Sequence, residues 1–231
     1  TKNEALTDSE HKGLYFINPV KGKPQQIWTE GETEYNSCWF PTLDSPNQKH
    51  TQEISITVPA SFETLSNGLL INSKKNDDGT KIDTWKQDLP HSVYLTMIAA
   101  GPFEKVIDTT YSAFEVSYYI EPEFKEEAYY IFGRTPEMIR YFETLLGTKY
   151  PWQKYAQIAV RDYISGAMEN TSATVHGSTI QKNANQLIDI NDDGVIAHEL
   201  FHHWFGDLIT AESWANLPLN EAFADYSEYL W

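Results

Sequence analysis

Two histidines and a glutamate in an H-E-x-x-H pattern constrain this chain more than any other feature. His198, Glu199 and His202 form the pattern, and Glu221 follows His202 after eighteen intervening residues. Residues four apart lie on one face of an α-helix, so the two imidazoles can bind one ion together. Glu199 lies one position further round, where it can reach a water on that ion without being a ligand. With Glu221 as third ligand, one position of a tetrahedral zinc ion stays open, as a catalytic site requires.

The residues around the motif predict a helix that is buried almost all round. Apolar side chains surround the motif from Val195 to Phe205. Asp192 or Asp193 is placed to cap the start of this helix, and Gly206 is placed to end it. A metal ion is the partner that best offsets the cost of burying two histidines and a glutamate there. The alternative is a surface helix with ordinary contacts between residues four apart.

A second helix is predicted to begin near Pro218 and to carry Glu221 and Asp225, which are four residues apart. We interpret Glu221 as a metal ligand and Asp225 as the acceptor for the N–H of a ligand imidazole. A solvent-exposed carboxylate is the alternative for Asp225. His203 points away from the ligand face, and we interpret it as a residue that packs in the core or supports a ligand from behind, and not as a ligand.

A second motif, Gly-Ala-Met-Glu-Asn at residues 166–170, precedes the zinc helix. Together with the H-E-x-x-H pattern, the eighteen-residue gap and the Asn-Glu-Ala-Phe-Ala segment at 220–224, it resembles the aminopeptidase N family of zinc metallopeptidases. The leukotriene hydrolase-type enzymes are relatives within that family. Segments 28–32 and 40–46 resemble the family's N-terminal-domain motifs. The resemblance therefore runs from about Trp28 to the end of the chain, in the expected order.

The resemblance implies a site for the free amino end of a peptide. Glu169 would bind the α-amino group and Glu32 would share it, because two carboxylates in a dead-end pocket favour a protonated N-terminus over a mid-chain peptide. Gly166 and Ala167 would lie on an edge strand that lets substrate backbone approach closely. For Glu32, an acidic solvated strand face is the alternative. The implied substrate-binding residues are Glu32, Gly166, Ala167, Met168, Glu169 and Asn170.

The activity that the resemblance implies is that of a zinc-dependent aminopeptidase with one zinc ion and Glu199 as general base. A thermolysin-like endopeptidase would share the zinc site without needing Glu169 and Glu32. A zinc-binding domain without catalysis is the other alternative, and the intact Glu199 argues against it. Family members carry an oxyanion-stabilising tyrosine well downstream, whereas this chain ends ten residues after Glu221. We therefore expect a fragment, whose own activity stays open.

Composition excludes some partners. The net charge of −16 argues against nucleic acid, and no apolar run is long enough to cross a bilayer. The expected partners are peptides with a free N-terminus. The single cysteine leaves the compartment open, and nothing in the sequence indicates an oligomeric state.

The predicted fold class is α+β. Residues 1–105 are predicted to form part of an antiparallel, saddle-like β-sandwich domain, incomplete at its start. Residues 106–231 are predicted to form the first half of a thermolysin-like zinc peptidase domain. Alternating apolar residues predict strands at 54–58 and 114–120, and a turn at 76–79 separates predicted strands 69–75 and 81–88. Further strands are predicted at 91–100, 158–160 and 173–179. A helix is predicted from Thr135 to a stop at Gly147.

Overall fold

The computed structural model describes residues 13–231 of the chain. Its N-terminal part is built from antiparallel strands in two sheets, with strand orders β1-β2-β7-β4 and β3-β6-β5. The strands are β1 (Leu14–Ile17), β2 (Gln26–Thr29), β3 (Lys49–Pro59), β4 (Glu63–Ser66), β5 (Leu69–Lys75), β6 (Thr80–Ser92) and β7 (Ile98–Gly101).

Most of the strand predictions in this part are confirmed. Exposed and half-buried residues alternate along most of β3, as expected for a strand with one face towards solvent. The predicted turn joins β5 to β6, and Gly79 adopts a φ of 85° that favours glycine. The single strand predicted over 91–100 is partly wrong, because residues 91–92 end β6, residues 98–100 lie in β7, and the chain turns between them. Val93–Leu95 form a buried 3₁₀ turn between β6 and β7, and an apolar run gives the same pattern in a buried turn as in a buried strand.

The second part of the chain contains a mixed five-stranded sheet of order β11-β12-β10-β9-β8. Its strands are β8 (Glu104–Asp108), β9 (Glu115–Ile120), β10 (Lys154–Val160), β11 (Ala167–Met168) and β12 (Ala173–Gly177). β10 runs parallel to β9 and β12, whereas β11 is an antiparallel edge strand. β8 begins before the predicted domain boundary at residue 105, ends after it and pairs with β9. The position of the domain boundary therefore stays a prediction.

The helices of this part are α1 (Ala128–Phe132), α2 (Thr135–Leu146), α3 (Asp193–Phe201) and α4 (Pro218–Leu230). Side chains of α1, α2 and α3 pack against the sheet, and α4 packs against α3. The prediction for α2 is confirmed, with Pro136 in its first turn and Gly147 in a left-handed conformation at its end. The α+β class is confirmed as well. Among residues 13–231 no helix is long and apolar enough to cross a membrane.

The predicted extent and burial of the motif helix are partly wrong. α3 ends at Phe201, five residues before Gly206, because the chain turns there to pack Trp204 into the core. Val195 is 42% exposed, so one face of the helix lies open. Asp192 precedes the first turn but makes no side-chain capping bond, since its carboxylate pairs with Lys182.

One apolar cluster joins the two parts of the chain. It contains Trp28 and Leu65 from the first N-terminal sheet and Tyr119, Ile158 and Val175 from the mixed sheet. A second cluster lies between the mixed sheet and the helices. Because the first cluster draws on both parts, their relative placement is fixed by burial and not by the linking segment alone.

A buried lysine lies in the same contact region. Lys154 on β10 is 3% exposed, and its Nζ donates to Ser66 O at 3.0 Å and to Ser172 O at 2.9 Å. The ammonium also lies 5.4 Å from the centre of the Trp85 ring. Burial lowers the pKa of Lys154 to about 7, with the charge of Glu115 opposing the shift.

We predict that Lys154→Met removes a pH-dependent contribution to stability. Unfolded lysine keeps its ordinary pKa near 10.5, so between pH 7 and that value the unfolded chain binds more protons than the folded chain. The stability of the wild type relative to the methionine variant should therefore rise with pH in this window, by up to about 1.4 kcal/mol per pH unit. Urea unfolding from pH 7 to pH 9 measures the difference. A difference that stays constant with pH would contradict the prediction.

Candidate functional site

The packing of α3 against α4 brings the three predicted metal ligands together. The Nε2 atoms of His198 and His202 are 3.0 Å apart, and Glu221 Oε2 lies 3.5 Å from each of them. His202 is 1% exposed at its side chain and His198 is 16% exposed, so the cluster opens towards solvent on one side only.

Hydrogen bonds at the far side of each imidazole determine which nitrogen carries the proton. His202 Nδ1 lies 3.0 Å from Phe205 O, and His198 Nδ1 lies 2.9 Å from Glu228 Oε1 and 3.3 Å from Asp225 Oδ1. These neighbours only accept hydrogen bonds, so each Nδ1 is the donor, and in the neutral imidazole that binds a metal each Nε2 carries a lone pair. Two imidazole lone pairs and one carboxylate oxygen therefore converge on one point.

This convergence fits a zinc ion. Lone pairs at these distances repel one another unless a cation lies between them, and two imidazoles with one carboxylate form a donor set typical of catalytic zinc. Burial alone would raise the pKa of Glu221, but when His198 and His202 are protonated their hydrogen bonds and charge lower it to about 2. The carboxylate is thus ionised, as a ligand must be.

Glu199 lies beside the ligand cluster with its carboxylate aimed into the same cleft. It is 6% exposed, and its Oε2 has no hydrogen-bond partner within the described residues. Burial raises the pKa of Glu199 to about 8, although the charge of His202 opposes the shift. A buried carboxylate oxygen that faces a cleft and has no partner is free to exchange a proton with a bound molecule.

The cleft has a volume of about 290 Å³ and gathers most of the predicted residues. Its walls come from the loop after β2, the segment leading into β11, and the two helices. The lining residues are Glu32, Ser165, Gly166, Ala167, Glu169, Val195, His198, Glu199, His202, Glu221 and Glu228.

Two predicted substrate-binding residues do not line the cleft. Met168 is 2% exposed and packs against Tyr94 and Leu95. Asn170 is fully buried, and its side-chain amide has no partner among the described residues. Side chains alternate along an edge strand, so when Ala167 faces the cleft Met168 faces the core.

Two carboxylates lie close together in the cleft, with oxygens of Glu32 and Glu169 within 4.8 Å of each other and of a Glu221 oxygen. Glu169 is 3% exposed and accepts a hydrogen bond of 3.0 Å from Tyr94 Oη. Glu32 Oε1 is buried without a partner within residues 13–231. Burial, together with the charges of Glu169 and Glu221, raises the pKa of Glu32 to about 9. The pocket therefore favours a ligand that brings positive charge and N–H donors.

His203 and Tyr94 support the site from behind. His203 is fully buried, with Nδ1 3.1 Å from Glu199 O and Nε2 accepting from Ser172 N at 3.0 Å. Burial lowers the pKa of His203 to about 3, so the ring is neutral in this packing role. Tyr94 could not be identified from the sequence, because it lies in an apolar run and no motif of polar residues includes it.

Sequence reasoning also missed Glu228. It lies closer to His198 Nδ1 than Asp225 does, and it is less exposed at its side chain, 43% against 71%. The spacing of Glu221, Asp225 and Glu228 along α4 puts all three on one helix face. Extending the pattern by one turn would have found it.

Two family models match the chain, and they do so in the order of its two parts. The Peptidase M1 N-terminal domain matches residues 4–95, and the Peptidase family M1 domain matches residues 130–231. The chain belongs to peptidase family M1, the family of the aminopeptidase N resemblance. This agrees with the observed order of two antiparallel sheets followed by a mixed sheet and its helices, where the H-E-x-x-H motif begins on α3.

The individual relatives are aminopeptidases. Glutamyl aminopeptidase of Sus scrofa is 36% identical over 200 residues, covering 83% of this chain and 21% of the relative. Glutamyl aminopeptidase of Bos taurus is 35% identical over 229 residues, covering 94% and 23%. Puromycin-sensitive aminopeptidase of Caenorhabditis elegans is 32% identical over 214 residues, covering 87% and 22%. The chain thus spans about a fifth of the length of these relatives.

We predict that Glu228→Gln weakens zinc binding about 10- to 100-fold, because it removes the charge that holds the donating Nδ1 of His198. Asp225→Asn, at the longer distance and greater exposure, should have a smaller effect. Competition with a chromophoric chelator measures both affinities. A larger loss in the Asp225 variant would reverse our assignment of the principal support.

Proposed function

We propose that the protein is a zinc-dependent aminopeptidase that releases N-terminal residues from peptides. The observation that carries the proposal is the placement of two sites in one cleft. The converging lone pairs of the ligand cluster lie beside the facing carboxylates of Glu32 and Glu169. The relatives' names support the same activity.

His198, His202 and Glu221 would hold the zinc ion. Once bound, zinc supplies Lewis acidity, which activates a water molecule and polarises a carbonyl group. Glu199 accepts a proton from the attacking water through its free Oε2 and then delivers that proton to the nitrogen of the departing peptide. Glu199 follows His198 on α3 and lines the same cleft, so this proton transfer would take place inside the cleft.

Glu32 and Glu169 select the substrate by charge. A peptide's α-ammonium group brings a positive charge and three N–H donors to oxygens that otherwise repel each other. A mid-chain peptide group brings one N–H and no charge, so it leaves at least one buried carboxylate without compensation. The pocket therefore places the first peptide bond, and not a later one, at the zinc cluster. Gly166 and Ala167 have small side chains or none, so they would leave room in the cleft for the substrate backbone to approach closely.

Replacing Glu199 with Gln should abolish hydrolysis while leaving zinc bound. The amide cannot accept the water's proton, so turnover of an aminoacyl-anilide should fall by about two to four orders of magnitude. Zinc per chain, measured by atomic emission, should stay at the wild-type value because Glu199 is not a ligand. Glu53→Gln, at an exposed position on β3, is the matched control and should change neither value. Full activity in the Glu199 variant would refute the assignment.

N-terminal acetylation separates the aminopeptidase from a thermolysin-like endopeptidase. A free peptide should be cleaved at least about a hundredfold faster than its acetylated form, since acetylation removes the charge and its charge-assisted hydrogen bonds. Glu169→Gln should reduce this ratio. Mass spectrometry of the products measures the ratio and the position of cleavage. Equal cleavage of both peptides would favour the endopeptidase, and zinc binding with no cleavage of either would favour a non-catalytic zinc domain.

A further inference from the structure

One face of β2 is connected to the catalytic part by a row of hydrogen bonds. Gln26, Trp28 and Glu30 are two residues apart, so their side chains point the same way. Gln26 Oε1 accepts from Arg161 N at 2.8 Å, and Trp28 Nε1 donates to Arg161 O at 3.0 Å. Glu30 Oε2 accepts from Tyr163 Oη. All three bonds reach the loop between β10 and β11, which leads into the cleft wall.

Glu30 uses both carboxylate oxygens to connect the two halves of the amine pocket. Its Oε1 accepts from the backbone N–H of Glu32 at 2.9 Å, while its Oε2 takes the hydroxyl of Tyr163. Tyr163 lies two residues before Ser165, where the cleft wall begins. The Tyr163 ring is fixed in turn by an edge contact with Trp28, with ring centres 4.9 Å apart.

The pocket needs such a connection because its own carboxylates repel each other. Glu32 and Glu169 come from different parts of the chain, and Glu32 Oε1 has no partner of its own within the described residues. The backbone bond to Glu30 is therefore a main restraint on the position of Glu32. Glu30 is 4% exposed and does not line the cleft, so it acts through its neighbours and not on a substrate.

We propose that Glu30 and Tyr163 are positioning residues that hold Glu32 and the 165–169 segment at the separation required to bind an amino terminus. The inference rests on the proposed function, because it concerns the same amine pocket. It adds that amine recognition depends on a hydrogen bond between the two parts of the chain, whereas the proposed zinc ligands come from α3, the residue directly after it and α4.

The test compares two zinc-binding probes that differ only in the amine. Leucine hydroxamate carries the α-amino group, and isocaproyl hydroxamate is its deamino analogue. Isothermal titration of the zinc-loaded chain with each probe gives two affinities, and their ratio reports the amine pocket separately from the metal. Turnover is not needed for this measurement. Zinc content and melting temperature are recorded for every variant.

Tyr163→Phe removes one hydroxyl, and Glu30→Ala removes both acceptors. Each should lower the leucine hydroxamate affinity by roughly tenfold, the loss typical of a hydrogen bond to a charged group, and leave the deamino probe unchanged. Glu30→Gln should stay near the wild type, because its amide oxygen can accept from Glu32 N–H and its NH₂ can donate to Tyr163 Oη. Tyr129→Phe is the matched control, since that hydroxyl donates to Ile107 O away from the cleft.

The outcomes separate this inference from the function on which it rests. A wild-type chain that binds both probes equally refutes the amine pocket and this inference with it. A wild type that prefers the amine, with Tyr163→Phe and Glu30→Ala keeping that preference in full, overturns the positioning role alone. Equal losses for both probes indicate general damage to the site and also overturn it. If Glu30→Ala does not fold, Tyr163→Phe decides the question.

Discussion

The close approach of α3 and α4 is the contact on which the rest of the site depends. Ala197 and Ala224 are fully buried where the helices meet, and Ser227 Oγ lies 3.3 Å from Ala197 O. Side chains this small let the backbones approach closely, which places Glu221 within reach of both imidazoles. A larger residue at Ala197 or Ala224 would push the helices apart and separate Glu221 from the two imidazoles, although every ligand residue would still be present. The ligand cluster therefore depends on these small residues as well as on the ligands.

The second constraint is the cost of burying several carboxylates in one cleft. One buried oxygen each of Glu32 and Glu199 has no hydrogen-bond partner among the described residues, and Glu169 is 3% exposed beside Glu32. A sequence selected for stability alone would avoid this arrangement, because each uncompensated charge favours the unfolded chain or a bound proton. Under the proposed function, a bound metal ion and a bound ammonium group would offset this cost. The cleft therefore gives up stability in the free protein in return for affinity towards cations.

Sequence reasoning performed best where function depends on local spacing. The closeness of His198 and His202, the turn at 76–79 and the limits of α2 follow from periodicity and capping, and the structure agrees with each of them. It failed where tertiary packing decides. The 93–95 turn, the early end of α3 and the inward side chain of Met168 depend on neighbours distant in the chain. Tyr94 could not be predicted at all, because its role arises only when Glu169 is brought to its hydroxyl.

The proposed metal site and the proposed amine pocket differ in how far apart their residues lie in the chain. The zinc cluster needs one helix pair, so it tolerates small displacements of the N-terminal sheets. The amine pocket needs Glu32 and Glu169 from separate sheets, held by Glu30, Trp28 and the shared apolar cluster. Displacing the N-terminal sheets relative to the mixed sheet would separate Glu32 from Glu169 while leaving the ligands in place. The proposed restriction to amino termini therefore depends on the N-terminal part of the chain, which supplies Glu32 and its restraint by Glu30, whereas the proposed zinc ligands all come from the second part.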